Sequence, residues 1–404
     1  MTCAIVSRAL LAVAALVLPV AAPAALSQSS SASSTAVAEV VRQARAAHAG
    51  GKHDDALSLS RRALTLDPAD REAMSILATV LTSQGEIEPA VDAYAGWRKA
   101  SKQDDRQIVS ILAVGALRAA GRDANYAISV GAQERLAKLG DADARAFLAK
   151  AAKGNDAASR ACLPSLARLG DEGALRALVS IASNPEGASD RGEAIRLLGE
   201  LDHRPAARVI EQALTATDIR VRALAASALG QMQVTESVPS LRKALSDPVG
   251  LVRLAAAAAL ARLGDSGGSE LLNAALLSDV EDICLSAAWA LQPGSDTAWI
   301  PPVRAMLASK NGRSRLRAAE LLLPVDRHAS LDVVKNTLTD ENPWIRAEAV
   351  RILAAQAQPD VALLWPFLKD ASPWARLYAA GGLGLGAQPA ATPQTRRSVK
   401  TNSR

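Results

Sequence analysis

Aromatic side chains are scarce in this 404-residue chain, six Trp, three Tyr and two Phe making up 3% of it. Strands favour aromatic and β-branched residues, so this scarcity argues against a β-rich domain. Histidine is rarer still: His48, His53, His203 and His328 are scattered and fall in no HExxH, CxxCH or other ligand spacing. No metal or haem centre is expected from them. Nor is there a body of positive charge. Of the net +5, Arg8 carries one and Arg396, Arg397, Lys400 and Arg404 carry four, which leaves the remainder neutral. The counterion release that drives nucleic-acid affinity has no source there, and no nucleic-acid partner is expected. Beyond the N-terminus no segment approaches about 18 unbroken apolar residues, so no integral membrane segment is expected in the processed chain.

What is abundant is Ala and Leu, within 49% hydrophobic residues overall. Both have high helix propensity, and small Ala lets helices approach closely. An arginine recurs at Arg160, Arg191, Arg222, Arg253, Arg315, Arg346 and Arg376, spaced 31, 31, 31, 62, 31 and 30 residues apart. Cys284 occupies the skipped place. In register the segments read VRALAASALG from 221, VRLAAAAALA from 252, ICLSAAWALQ from 283, SRLRAAELLL from 314, IRAEAVRILA from 345 and ARLYAAGGLG from 375. Each has the helical apolar pattern, as at Val221, Ala225, Ala228 and Leu229. A second apolar stretch precedes each, such as VPSLRKALSD or LDVVKNTLTD. Each unit is then two antiparallel helices of roughly 10–12 residues, too small to bury its own apolar face, so neighbours must stack. Cys162 and Cys284 lie four units apart, roughly 40 Å at about 10 Å per layer. A disulfide needs Cα atoms within about 7 Å, so both should be unpaired and at least partly buried.

An acidic residue stands six positions before the arginine with a proline between, as in Asp247-Pro248…Arg253, Asp340…Pro343…Arg346 and Asp370…Pro373…Arg376. This resembles HEAT repeats, in particular the short type first associated with bilin lyases, over residues 126–387. The resemblance implies that the Asp and Arg hydrogen-bond across stacked turns, a structural ladder of Asp247, Arg253, Asp340, Arg346, Asp370 and Arg376. Residues 37–125 have another period: Gly51 and Gly85 are 34 apart, as are Ala56 and Ala90. With Ala63, Pro68, Leu77 and Tyr94 they resemble tetratricopeptide repeats, two units and a degenerate third over 105–125. The fold class is therefore all-α, an α-α superhelical solenoid of tetratricopeptide-like followed by HEAT-like repeats.

Several words in the sequence mimic catalytic motifs. GDSGG at 264–268 surrounds the nucleophile in trypsin-like proteases, and Ala46-Ala47-His48 resembles the histidine run of that family. Yet LARLGDSGGSELL from 260 stands in register with LARLGDEGALRAL from 166 and LAKLGDADARAFL from 136. In each, Gly264, Gly170 or Gly140 suits a left-handed helix end and the next Asp starts the following helix. Ser266 is replaced by Glu172 and Ala142 in the sister units, so no triad is expected. GGLGLG at 381–386 follows a helix rather than a strand and lacks a βαβ setting for a dinucleotide. Asp54-Asp55 and Asp104-Asp105 read as turn and cap residues. Iron-binding HEAT enzymes use His-Glu pairs, and no His-Glu dipeptide occurs. No catalytic residue, cofactor or metal ligand is assigned, and the chain is read as no enzyme.

The HEAT resemblance implies that the arginine-bearing helices line the concave surface. Positions two and five after the arginine point away from the stacked core and give Trp289, Arg317, Glu320, Glu348, Arg351 and Tyr378, a candidate surface for a protein or peptide partner. Arg317/Glu320 and Glu348/Arg351 also suit i,i+3 ion pairs on one helix. Trp344 and Trp374 share one turn position in adjacent units and should stack. Residues 1–24 have the layout of a signal peptide: Arg8, an apolar run from Ala9 to Val20, and Ala22-Pro23-Ala24. A flexible Ser-rich leader is expected over 25–36 and a disordered basic tail over 388–404. The expected function is a periplasmic or secreted scaffold or assembly factor of the cell envelope that binds a protein partner. The alternatives are a lyase-like, chromophore-handling HEAT protein and an envelope structural or adhesion component.

Overall fold

The computed structural model describes residues 24–154, 156–292 and 297–386. The expected basic tail, and all but the last residue of the expected signal peptide, lie outside them. Among the described residues every regular element is a helix and there is no strand. Five helices open the chain: α1 (Ala24–Ala49), α2 (His53–Leu66), α3 (Arg71–Ser83), α4 (Ile87–Ser101) and α5 (Arg106–Ala120). Helix pairs follow: α6 (Tyr126–Lys138) with α7 (Ala142–Ala151), α8 (Ala157–Arg168) with α9 (Glu172–Ser183), and α10 (Ala188–Glu200) with α11 (Ala207–Gln212). Next come α12 (Ile219–Gln231) with α13 (Val238–Ala244), α14 (Gly250–Arg262) with α15 (Ser269–Leu276), and α16 (Glu281–Leu291) with α17 (Ile300–Ala305). The last are α18 (Gly312–Leu322) with α19 (Arg327–Thr337), α20 (Pro343–Ala354) with α21 (Val361–Leu364), and α22 (Pro373–Gly386).

Local chemistry sets these boundaries. Asp70, Asp105, Asp141, Asp156, Asp171, Asp218, Asp326 and Asp360 each accept a backbone N–H of the first helical turn that has no partner inside the helix. Gly140, Gly170 and Gly264 take positive φ of 93°, 77° and 75°, a conformation that costs side-chain-bearing residues energy. GDSGG is accordingly a helix connection: the Asp265 carboxylate accepts the Gly267 N–H at 2.8 Å and pairs with Arg242. His48 lies in α1, which packs on α2 and α3. Of the acidic pairs, Asp54 and Asp55 sit in the first turn of α2, Asp105 caps α5, and Asp104 accepts from Arg98 at 2.6 Å. The Ser-rich leader departs from expectation, because α1 is continuous from Ala24. No Gly or Pro interrupts Ala24–Ala49, and the run of Ala and Ser tolerates helical propagation from the packed end.

In the repeat array the first helices of successive units, from α10 through α12, α14, α16, α18 and α20 to α22, touch one another at every step. Contact between successive second helices is sparser, so the arginine-bearing helices form the more closely packed layer, the side that the HEAT resemblance places inward. Some second helices are shortened further and end in 3-10 turns such as Ala213–Thr215 and Met306–Ala308. The close approach is visible at Gly230, where a Cβ would lie 2.6 Å from Ala259 Cα.

One feature of the packing has no counterpart in the repeat pattern. Helix α22 packs against α20 on one side and against α5 and α6 on the other. Leu112, Ala116, Ile128, Ala132 and Leu136 share one hydrophobic core with Leu377, Ala380 and Leu383. Tyr94 meets Trp365 edge-on at 5.4 Å, and Lys369 pairs with Asp92. The last repeat thus closes onto the N-terminal repeats. GGLGLG explains how. A Cβ on Gly382 would lie 2.6 Å from the Ala354 Cβ of α20, one on Gly381 would run into the Arg135 side chain, and one on Gly384 would lie 3.1 Å from Leu139. Bare backbone lets α22 fit between both neighbours, and the run continues the helix to Gly386 rather than cradling a phosphate.

Gly230→Val would drive two methyl groups and a Cβ into α14. We expect a loss of roughly 1–3 kcal/mol in urea unfolding, with helicity retained by circular dichroism at low denaturant.

Candidate functional site

The arginine register forms a ladder along the turns. Arg222 spans two layers: its Nε and Nη2 donate to the Asp247 carboxylate at 2.8 and 3.1 Å, while Nη1 donates to the Ala216 carbonyl at 2.9 Å. Arg346 repeats this with Asp370 at 2.9 and 3.0 Å and the Asp340 carbonyl at 2.8 Å. Arg253 and Arg376 donate to the carbonyls of Asp247 and Asp370 at 2.8 and 2.7 Å. Each Asp therefore gives its carbonyl to the arginine of its own unit and its carboxylate to the arginine of the unit before. Arg222 and Arg315, outside the expected set of six, belong to the same ladder, Arg315 reaching Asp340 at 3.7 Å. Where Cys284 replaces arginine, Glu281 makes the forward link, accepting the Ser309 hydroxyl at 2.6 Å. Planar forks of this kind fix geometry as well as energy. Arg222 holds Asp247 below the usual carboxylate range. Burial pushes Asp370 up, but Arg346 and the Ser372 N–H outweigh it and hold this carboxyl low as well.

The inward positions come together in part. Trp289, Arg317 and Glu320 line one groove of about 400 Å³ between α16 and α18, with Gln292 and Leu321. All three are half-buried. The expected i,i+3 pair between Arg317 and Glu320 is replaced by cross-layer pairs: Arg317 bonds Asp282 of α16 at 2.8 Å, and Arg351 of α20 bonds Glu320 at 2.8 Å. Curvature brings adjacent inner helices close enough for these longer reaches. Glu348 to Arg351, at 2.8 Å, is the within-helix pair expected. Tyr378 is set apart from the groove and belongs to the closure, the Arg135 guanidinium lying 5.4 Å from its ring centre. Trp374 contacts Trp344 at 6.4 Å and Tyr378 at 6.1 Å, and Trp344 remains 66% exposed.

Two residues of this face escaped the sequence reading. Arg262, on α14, stacks over Trp289 with its guanidinium carbon 3.5 Å from the ring centre. Gln292 donates to the Leu321 carbonyl at 2.9 Å. Both lie one helical turn beyond the two positions considered, and extending the row by that turn would have found them. Cys162 and Cys284 are unpaired and fully buried, Cys162 lying 3.0 Å from the Tyr126 hydroxyl. Among the described residues no group of three or more His, Cys, Asp or Glu side chains is placed to hold a metal, and no helix is long and apolar enough to cross a membrane.

Comparison with known proteins matches HEAT repeats at residues 206–292 and tetratricopeptide repeats at residues 47–114. No curated protein matches the sequence. Among solved structures, the chain is similar to the complex of CpcE and CpcF of phycocyanin lyase from a Nostoc species, at 20% identity over 51% of this chain and 86% of that one, with a TM-score of 0.36. Human deoxyhypusine hydroxylase in complex with glycerol is similar at 21% identity over 62% and 98%, with a TM-score of 0.33. An engineered protein is similar at 19% identity over 79% and 96%, with a TM-score of 0.31.

Arg346→Ala should cost about 1.5–3 kcal/mol by stranding the Asp370 carboxylate. Because Asp370 is held below its unfolded value near about 3.9, the stabilisation is present above that pH and lost as pH falls through the lower folded value. Urea titrations of wild type and variant should therefore differ at pH 7 and converge in acid.

Proposed function

We propose that this protein of tetratricopeptide and HEAT repeats is a non-enzymatic scaffold that holds a protein partner on the inward face of its HEAT helices, and that it works outside the cytoplasm as an assembly factor of the cell envelope. Repeat architecture of this kind supports protein binding in general terms. The observation that carries the specific reading is the groove between α16 and α18, where Trp289 stands beside Arg317 and Glu320. Interface cores are enriched in aromatic residues and arginine, and a half-buried Trp with anchored neighbours supplies contact area at low entropic cost. The ion pairs of Arg317 and Arg351 hold the groove's shape before a partner arrives, which reduces the cost of binding. Export rests on the sequence of residues 1–24, with Arg8, the apolar run to Val20 and the small residues at Ala22 and Ala24.

Photo-crosslinking in the native host tests the surface. With p-benzoylphenylalanine at Ser286 on the inward face, one discrete adduct is expected; the same probe at Lys335, on α19, should give none. Equal labelling from both positions would refute an inward site. Fractionation should recover a chain that begins near Ala25 outside the cytoplasm, and a full-length cytoplasmic chain would refute export.

A further inference from the structure

The arginines that face inward are nearly all neutralised within the protein. Arg168 pairs with Glu134 at 3.3 Å, Arg196 with Glu193, Arg317 with Asp282 at 2.8 Å and Arg351 with Glu320 at 2.8 Å. Arg135 rests on an aromatic ring and donates to the Gly131 carbonyl at 2.9 Å; burial lowers its pKa, and the charge of the adjacent Glu134 offsets this only in part. Arg262 differs. No carboxylate among the described residues pairs with it, its Nε is buried without an acceptor, and its one hydrogen bond is from Nη2 to the Trp289 carbonyl at 3.3 Å. Only burial acts on its ionisation, and it lowers the pKa. A half-buried cation held by a ring face and one long carbonyl bond is incompletely compensated, because neither is worth as much as a charge-assisted bond to a carboxylate.

The place of Arg262 matters as much as its charge. Helix α16 lies between α14 and α18, so Trp289 has Arg262 against one side and the groove with Leu321 on the other. Glu320 does not make the groove acidic, since both its oxygens accept from Arg351, at 2.9 and 2.8 Å. We propose that this position binds an acidic side chain of a partner peptide, its carboxylate taken by Arg262 and the neighbouring apolar side chain laid in the groove against Trp289 and Leu321. This deepens the scaffold reading and rests on it. The specificity follows from complementarity: a carboxylate at the outer guanidinium nitrogens supplies the counter-charge that Arg262 lacks, a neutral amide offers an acceptor without charge, and an ammonium adds repulsion.

The test uses the full processed chain and three acetylated, amidated tripeptides, Leu-Leu-Glu, Leu-Leu-Gln and Leu-Leu-Lys. Binding is read from the Trp289 indole N–H resonance, identified by its loss in Trp289→Phe. The Glu peptide should shift that resonance saturably, with the Gln peptide at least about tenfold weaker and the Lys peptide weaker still. Arg262→Gln, checked for an unchanged melting temperature, should abolish the preference for Glu over Gln, and Arg262→Lys should restore part of it. Equal binding of the Glu and Gln peptides by wild type, a preference that survives Arg262→Gln, or no shift with the Glu peptide would each overturn the proposal. If Ser286 still crosslinks a partner in any of those cases, the scaffold reading stands and only the acidic specificity falls.

Discussion

The contact of α22 with α5 and α6 is the constraint on which the rest depends. A stack of two-helix units leaves an uncovered apolar face at its last layer, and repeat arrays need a cap there. In this chain Leu377, Ala380 and Leu383 would form such a face, and α5 and α6 cover it with Leu112, Ala116 and Leu136. One terminal region caps the other. The curvature of the array, and so the geometry of its inward surface, is held at both ends rather than left to the accumulated twist of single units.

Between those ends the arginine ladder sets the layer spacing. Each fork joins one turn to the next, and the carbonyl bonds of the same guanidinium brace the turn within its own unit. The inner helices are thereby held close enough for cross-layer pairs such as Arg351 with Glu320, which align Trp289, Arg317 and Glu320 along one groove. Stability and recognition use different faces of the same helices. The ladder lies at the turn where each inner helix begins, and the groove lies along the inward stripe two and five residues further on.

Much of the fold was legible because it repeats. The 31-residue recurrence of arginine located the inner helices, and Gly140, Gly170 and Gly264 marked their ends through a backbone conformation that favours glycine. The same register identified GDSGG as a helix connection before any coordinates. Closure was not legible, since a single contact between residues near 115 and near 380 has no period to reveal it. GGLGLG carried the trace of it, as glycines that suit close helix packing; the sequence reading rightly set aside a dinucleotide loop there but had no register to say what those glycines pack against. Within the candidate surface, Trp289, Arg317 and Glu320 followed from helical spacing. Their ion-pair partners did not, because curvature and not local spacing decides which layer each side chain reaches. The Ser-rich stretch of α1 was misjudged on composition alone.

Closure is tested most directly by the separation of Arg106 on α5 and Gln358 in the turn after α20, which line one small pocket together with Gly382 and Leu383. Spin labels at Arg106→Cys and Gln358→Cys, with the buried Cys162 and Cys284 left in place, can be measured by double electron–electron resonance. A capped array predicts one narrow, short-distance population for these residues 252 positions apart in sequence. A broad distribution extending to the length of an open array would contradict it.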